Sequence, residues 1–283
     1  MFKFLFGKLL EKKDNMTFWE HADELRMRLI WSFIAITVFS VVAFFFKDII
    51  FDQIILGPKS KDFITYKWFC KLGQLIHSDS LCIGDLKFSL INLDLGGQFR
   101  WHILISFIAG LIISFPFIAY QLWLFIKPAL KPNELKYSRL MTFYITLLFI
   151  MGTLFGYYII SPLTINFLAN YELSSEIHNQ ITIGSYISTA VILPLITGLV
   201  FELPVLVYFL TKISILSPSF LRKYRKHSFI FILILAAIIT PSTDAFTMFV
   251  VALPIYLLFE LSIFISKISY KGEIILDEES ETV

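Results

Sequence analysis

Six apolar stretches separated by clusters of charge run along the chain: Leu29–Phe46, Ile103–Ile126, Leu140–Ile160, Ser185–Leu210, Ser228–Thr240 and Ala245–Ser266. The first four are long enough to approach the roughly 20 residues that cross a bilayer as a helix. The fifth has 13 residues, about 20 Å at 1.5 Å per residue, and the sixth is interrupted by Pro254 and Glu260. The turn Pro241-Ser242-Thr243-Asp244 between them favours a tight hairpin, which makes them two short spans that thin the bilayer locally. The pattern predicts an all-α integral membrane protein with six transmembrane helices. No internal repeat or low-complexity segment breaks it, so residues 1–283 form a single membrane domain.

Lysine and arginine in short loops set orientation, because they resist translocation. Lys127, Lys131, Lys136 and Arg139 lie between spans two and three, and Lys212, Arg222, Lys223, Arg225 and Lys226 between spans four and five. Those loops are expected in the cytoplasm. The loop Ser161–Gly184 and the turn Pro241–Asp244 hold no Lys or Arg, so both are expected on the exported side. Both ends are then inside: residues 1–28 as a cytoplasmic N-terminal segment and residues 267–283 as a cytoplasmic acidic tail. Residues 47–100 carry seven basic residues in 54 positions, diluted and matched by Asp48, Asp52, Asp62, Asp79, Asp85 and Asp94. A loop of that length escapes the charge rule, and it is expected as an exported-side cap. Before the first span no uninterrupted apolar core or small-residue cleavage site appears, so the N-terminus is expected to stay attached at the membrane surface.

Composition agrees with the pattern. The chain is 57% hydrophobic and 16% charged, far from the roughly 45–50% and 25% of soluble domains. A net charge of +2, with its basic residues beside spans, argues against a nucleic-acid partner. The five histidines are scattered without ligand spacing, so neither a metal site nor a cofactor is expected. No G-x-S-x-G, H-E-x-x-H or P-loop occurs, and enzymatic chemistry has no support.

Glu202, in Phe201-Glu202-Leu203-Pro204, lies well inside the fourth span, where a carboxylate costs several kcal/mol unless hydrated, paired or protonated. It is either a polar contact for a partner or substrate, or a protonated acid bonded to a neighbouring helix. Pro194 and Pro204 remove backbone donors and predict a kink there. The cluster Glu20-His21-Ala22-Asp23-Glu24-Leu25-Arg26-Met27-Arg28 places Glu24 and Arg28 four apart; charge pattern alone makes it a solvated amphipathic helix anchored by Phe18 and Trp19. Cys70 and Cys82, the only cysteines, both fall in the cap; an oxidising exported compartment would permit a disulfide, the alternative being two unpaired thiols.

From about Phe18 to Ser266 the sequence resembles the TatC family. His21–Arg28 is similar to that family's H-L-x-E-L-R-x-R motif, with Ala22 in place of Leu. Phe115-Pro116 and Tyr120–Leu130, followed by Glu134, look like its second span and first cytoplasmic loop. Phe201–Pro204, Leu221-Arg222-Lys223, Thr240-Pro241 with Asp244, and Leu253-Pro254 with Glu260 match the remaining landmarks in order.

The resemblance implies a non-enzymatic receptor in the bacterial cytoplasmic membrane. It would bind twin-arginine signal peptides of folded precursors and, with TatA/TatB-type single-span membrane proteins, export them using the proton-motive force. It would also contact lipid and self-associate in a receptor complex. By position, Glu24 and Glu134 would pair with the signal arginines, a fork geometry suited to carboxylates. Arg26 and Phe125 would shape that surface, Glu202 would be an intramembrane polar site, and Asp244 would lie near a signal or partner contact. Met248 departs from the polar Gln of many relatives, and the long first exported loop resembles that of Bacteroidetes-type bacteria. The competing reading is a small transporter with Glu202 as an ion site; no second interior charge or repeat supports it.

Overall fold

The computed structural model describes residues 18–60, 62–75, 88–126, 138–171, 179–212, 215–240 and 245–281. The first helix, α1 (Phe18–Phe45), is continuous. The charged motif and the first apolar stretch are therefore one rod rather than a separate segment and a span beginning at Leu29. The reason is local: residues 18–45 contain no proline or glycine, so nothing interrupts the backbone ladder. A π-helical turn (Ile49–Ile55) and a 3-10 turn (Gly57–Lys59) lead to α2 (Ile64–Leu75), then strand β1 (Ser89–Ile91) and helix α3 (Gly97–Ile126).

Helix α4 (Ser138–Phe155) passes through a π-helical turn at Gly156–Ile160 into α5 (Ser161–Asn170). The third apolar rod thus runs ten residues past its expected end at Ile160. Pro162 stands at the start of α5, a position that tolerates a missing backbone donor. Strand β2 (Gln180–Thr182) pairs in parallel with β1, Leu90 opposite Ile181, a two-stranded addition that an all-α reading does not include. The fourth rod is broken into α6 (Ile183–Ile187), a π-helical turn at Ser188–Ile192, α7 (Leu193–Val200) and α8 (Leu203–Lys212). The break falls at Phe201-Glu202, as the two prolines predict, with Pro204 fully buried just beyond it. Pro204 has no N–H for the Val200 carbonyl, and the chain instead turns through Glu202 N–H to Leu199 O at 3.1 Å.

After the short α9 (Pro218–Lys223), α10 (Arg225–Ile239) and α11 (Ala245–Glu281) complete the chain. Helix α11 continues well beyond Ser266, because residues 267–281 hold one glycine and no proline among strong helix formers. Among the described residues, five helical rods are long and apolar enough to cross a membrane: Trp19–Phe45, Gly97–Ile126, Met141–Asn170, Ile183–Lys212 and Thr247–Ile268. Helix α10 has 15 residues, about 22 Å, shorter than a typical hydrocarbon core of roughly 30 Å.

Helices α1 and α3 lie antiparallel along their length. Contacts descend α3 as they ascend α1: Arg28 with Gln121, Ser40 with Gly110, Phe44 with His102. A Cβ on Gly110 would lie 2.7 Å from Ser40 Cα, so only glycine permits that approach. The rings of Phe44 and His102 stack at 4.0 Å, and His102 Nε2 is 3.1 Å from Phe44 O. A second core joins the third and fourth rods to α10 and α11 through Ile160, Leu193, Ala236, Val251 and Ile255. At one end, tyrosine hydroxyls fasten the cap to the rods: Tyr157 donates to Ile54 O (2.6 Å) and Tyr186 to Ile55 O (2.8 Å), while Tyr66 donates to Pro58 O (2.7 Å) within the cap. Thr65 Oγ1 adds a hydrogen bond to Tyr158 O.

Candidate functional site

Two polar constellations stand out in an otherwise apolar body. The first lies at the end of the α1–α3 pair remote from the cap. His21, Glu24 and Arg28 share one face of α1, three and four residues apart, and Gln121 and Phe125 share the facing side of α3. The His21 and Phe125 rings stack at 4.3 Å with 20° between planes. Arg28 Nη2 donates to Glu24 Oε1 at 3.0 Å, and Arg28 Nη1 donates to Gln121 Oε1 at 3.1 Å. The Arg28 and Glu24 side chains are only 12% and 19% exposed. Glu24 Oε2 and Arg28 Nε are buried, and neither has a hydrogen-bond partner among the described residues. The pairing thus uses one oxygen of the carboxylate and leaves the other buried without a donor among the described residues, in a setting where a charge-assisted bond is worth more than in water.

Arg26 does not join this face. Two residues from Glu24 on a helix it points elsewhere, and it is exposed over a groove with Ala22, Leu25, Leu29 and Phe33. Glu134 lies outside the described residues, as do Asp244 and Cys82. Cys70, on α2, is disulfide-bonded.

The second constellation is around Glu202, at the break between α7 and α8. Both carboxyl oxygens are buried, with no well-formed hydrogen bond among the described residues. The adjoining helix α4 fits closely here: a Cβ on Gly152 would lie 2.6 Å from Phe201 Cβ, and one on Gly198 would lie 3.0 Å from a ring carbon of Phe149. Thr142 Oγ1 and Thr153 Oγ1 on α4 are also buried without a hydrogen-bond partner among the described residues. The α4 and α7–α8 faces therefore carry unmet polar atoms where apolar packing would suffice.

Residues 20–254 match the family of the Sec-independent protein translocase protein, TatC. The chain belongs to the TatC family. A relative, the TatC protein of Blattabacterium sp. subsp. Periplaneta americana (strain BPLAN), is 43% identical over 257 residues, spanning 90% of this chain and 96% of the relative. The TatC protein of Koribacter versatilis (strain Ellin345) is 35% identical over 253 residues, covering 89% and 86%. Among solved structures, a crystal structure of the twin-arginine translocase receptor TatC aligns with a TM-score of 0.67 at 32% identity, covering 88% of this chain and 99% of that one. A second crystal structure of that receptor, in the detergent DDM, gives 0.69 at 32% identity, covering 87% and 99%.

TatC membership makes this a multi-pass protein of the bacterial cytoplasmic membrane that serves protein transport, and not an enzyme. Among the described residues no His, Cys, Asp or Glu group has a metal-binding arrangement. The geometry places Glu24 and Phe125 on the facing sides of α1 and α3, together with three residues that charge pattern and resemblance did not single out for this surface. Gln121 and His21 look like ordinary helix residues when read alone, and Arg28 looks like a surface partner for Glu24. Their signal lies in paired spacing: polar side chains at 21, 24 and 28 on one helix, Gln121 and Phe125 four apart on another. Arg225 and Glu260 form a further ion pair at 2.6 Å between α10 and α11, with Tyr256 donating to Glu260 at 3.2 Å. Its exposure, 48% and 30%, makes it a modest fastener.

Proposed function

We propose that this TatC-family chain is the receptor subunit that binds twin-arginine signal peptides of folded precursors, and that Glu24 is a carboxylate that takes a signal arginine. The observation that supports this reading is the half-engaged Glu24: a carboxylate with one oxygen bonded to Arg28 and the other buried without a hydrogen-bond donor among the described residues. A buried acceptor without a donor is costly, and a guanidinium fork is the donor best shaped to complete it. Glu134, on the segment after α3, is the second carboxylate for the arginine pair. Phe125, held by His21, forms the apolar wall beside them. Arg26 acts from the adjoining face.

Six spans with both termini in the cytoplasm place this site on the side where precursors are made, with α10 as a short fifth span and residues 47–100 as the exported cap. Cys70 and Cys82 form the cap disulfide; maleimide labelling that appears only after reduction tests it. Glu202 and Asp244 serve contacts with single-span TatA/TatB-type partners, and the proton-motive force drives export.

Complementation tests the whole reading. In a bacterium lacking its own copy, this chain together with its cognate partner subunits restores export of an Arg-Arg precursor, and Glu24→Ala with Glu134→Ala abolishes it. Undiminished export by the double variant at normal membrane levels would sink the assignment.

A further inference from the structure

Helix α2 is fastened to the membrane body at its first turn, and the level of that turn follows from the third rod. The apolar stretch Leu140–Ile160 has 21 residues, about 31 Å at 1.5 Å per residue, or one hydrocarbon core. Tyr157 and Tyr158 therefore lie where that core ends, in the interfacial layer favoured by aromatic rings with a polar tip. Phe63 packs on both, stacked on Tyr158 at 5.7 Å and edge-on to Tyr157 at 5.6 Å. Thr65 Oγ1 donates to Tyr158 O. These contacts start α2 at the boundary between acyl chains and headgroups.

The faces of α2 differ in chemistry. Thr65 and Tyr66 are buried, whereas Ile64 and Trp68, four residues apart, are 58% and 68% exposed. Lys67 and Lys71, also four apart, are exposed beside them. At 3.6 residues per turn the four fall within a sector about 100° wide, with the lysines on one flank. Lys67 pairs with Asp62 at 3.0 Å, but both side chains are largely exposed, and the ammonium keeps further N–H donors. In water this face would leave an isoleucine and a tryptophan unburied. At a bilayer surface both enter the acyl boundary, the indole N–H stays with the headgroups, and each lysine lays its stem on the apolar layer while its ammonium reaches phosphate.

We propose that α2 is an interfacial helix: Ile64 and Trp68 insert into the leaflet on the cap side, and Lys67 and Lys71 bind the phosphate groups of its phospholipids. The occupant of this face is the bilayer itself, because the helix starts at the level where the lipid-facing part of the third rod ends. The helix holds the cap end of that rod at a fixed depth.

The test places a nitroxide on Ile64→Cys, Trp68→Cys or Gln74→Cys in the full chain, its own disulfide left oxidised, in vesicles of phosphatidylethanolamine and phosphatidylglycerol. Gln74 is exposed beyond the lysine flank. Any label on the wild-type chain is subtracted as background. The readout is the ratio of collisions with oxygen, which concentrates among acyl chains, to collisions with a water-soluble nickel chelate. Side chains about 5–10 Å into the boundary give a ratio about threefold or more above that at position 74. Ratios at 64 and 68 no higher than at 74, with free access of nickel, would mean a face in water and overturn the proposal. An immobilised spectrum shielded from both reagents would mean that a protein partner or a second copy covers the face, and would overturn it equally. So would failure of both Ile64→Cys and Trp68→Cys to accumulate while Gln74→Cys does, since the two side chains would then be packed in protein. Ile150→Cys, at an exposed position midway along α4, is the lipid-facing reference; a water-like ratio there would refute the third rod as a span, and the proposal with it.

Discussion

Arg28 on the first helix donates to Gln121 on the second span across 93 residues of sequence, at 3.1 Å, in a part-buried setting. This bond fixes the guanidinium between two helices and so fixes how much of Glu24 it covers. It also joins α1 to α3 at the end where the chain would otherwise fray, since α1 is the least buried of the membrane rods.

Replacing Gln121 by Leu removes the only acceptor that Arg28 Nη1 has among the described residues. A hydrogen bond to a charged group is worth about 1.5–3 kcal/mol, and the variant is expected to lose that much stability in reversible detergent unfolding. Near-zero loss would mean that the bond is not formed in the membrane.

Glu202→Leu separates stability from function. A buried carboxyl group with no well-formed hydrogen bond among the described residues is a liability, and replacing it with a well-packed apolar side chain is expected to leave thermal stability in detergent unchanged or raised. Export is expected to fail in the same variant. Loss of stability together with function would make Glu202 a structural residue instead.

Gly152 holds α4 against the break at Phe201. Valine there would place a Cβ 2.6 Å from Phe201 Cβ and 2.9 Å from Gly198 Cα, with no flexible side chain able to yield. Gly152→Val is expected to cost about 1–3 kcal/mol through overpacking and to lower export, measured by unfolding and by complementation. Wild-type behaviour would show that the two rods separate easily.

The cap is expected to weaken in alkali. Burial pushes the Tyr66 phenol well above its ordinary value, because the charged form is desolvated. A raised value means the stabilisation is complete below the unfolded-state pKa of 10.0 and is lost as pH climbs from there toward the folded value. Limited proteolysis with an alkali-active protease is expected to cut the cap increasingly above that pH. Tyr66→Phe, which removes the donor to Pro58 O, is expected to cost about 1 kcal/mol and to flatten this pH dependence. Equal pH dependence in the variant would assign the effect to other groups.

The apolar rods were legible in the sequence because each depends on composition over some twenty residues, and so was the kink at Glu202, because proline acts on its own backbone. The boundaries were less legible. Phe18–Arg28 resembles a surface segment by charge, yet it continues the first rod, since uncharged breakers rather than charge end helices. The parallel pairing of Ser89–Ile91 with Gln180–Thr182 was not legible at all: three-residue strands far apart in sequence leave no periodicity to detect. In the candidate site, resemblance pointed to Glu24 and Phe125 as expectations, whereas Gln121 and the stacked His21 needed the register of α1 on α3. That register is set by the Ser40–Gly110 contact, and a single glycine in an apolar run gives no warning of it.

The most direct test of the central claim is photo-crosslinking of the full chain, in membranes, to a precursor carrying Arg-Arg in its signal, with a Lys-Lys precursor and the Glu24→Ala plus Glu134→Ala chain as controls. Recognition of the signal by these carboxylates predicts strong crosslinking for Arg-Arg with the wild-type chain and its loss in both controls. Equal crosslinking in all three, or none in any, would contradict it.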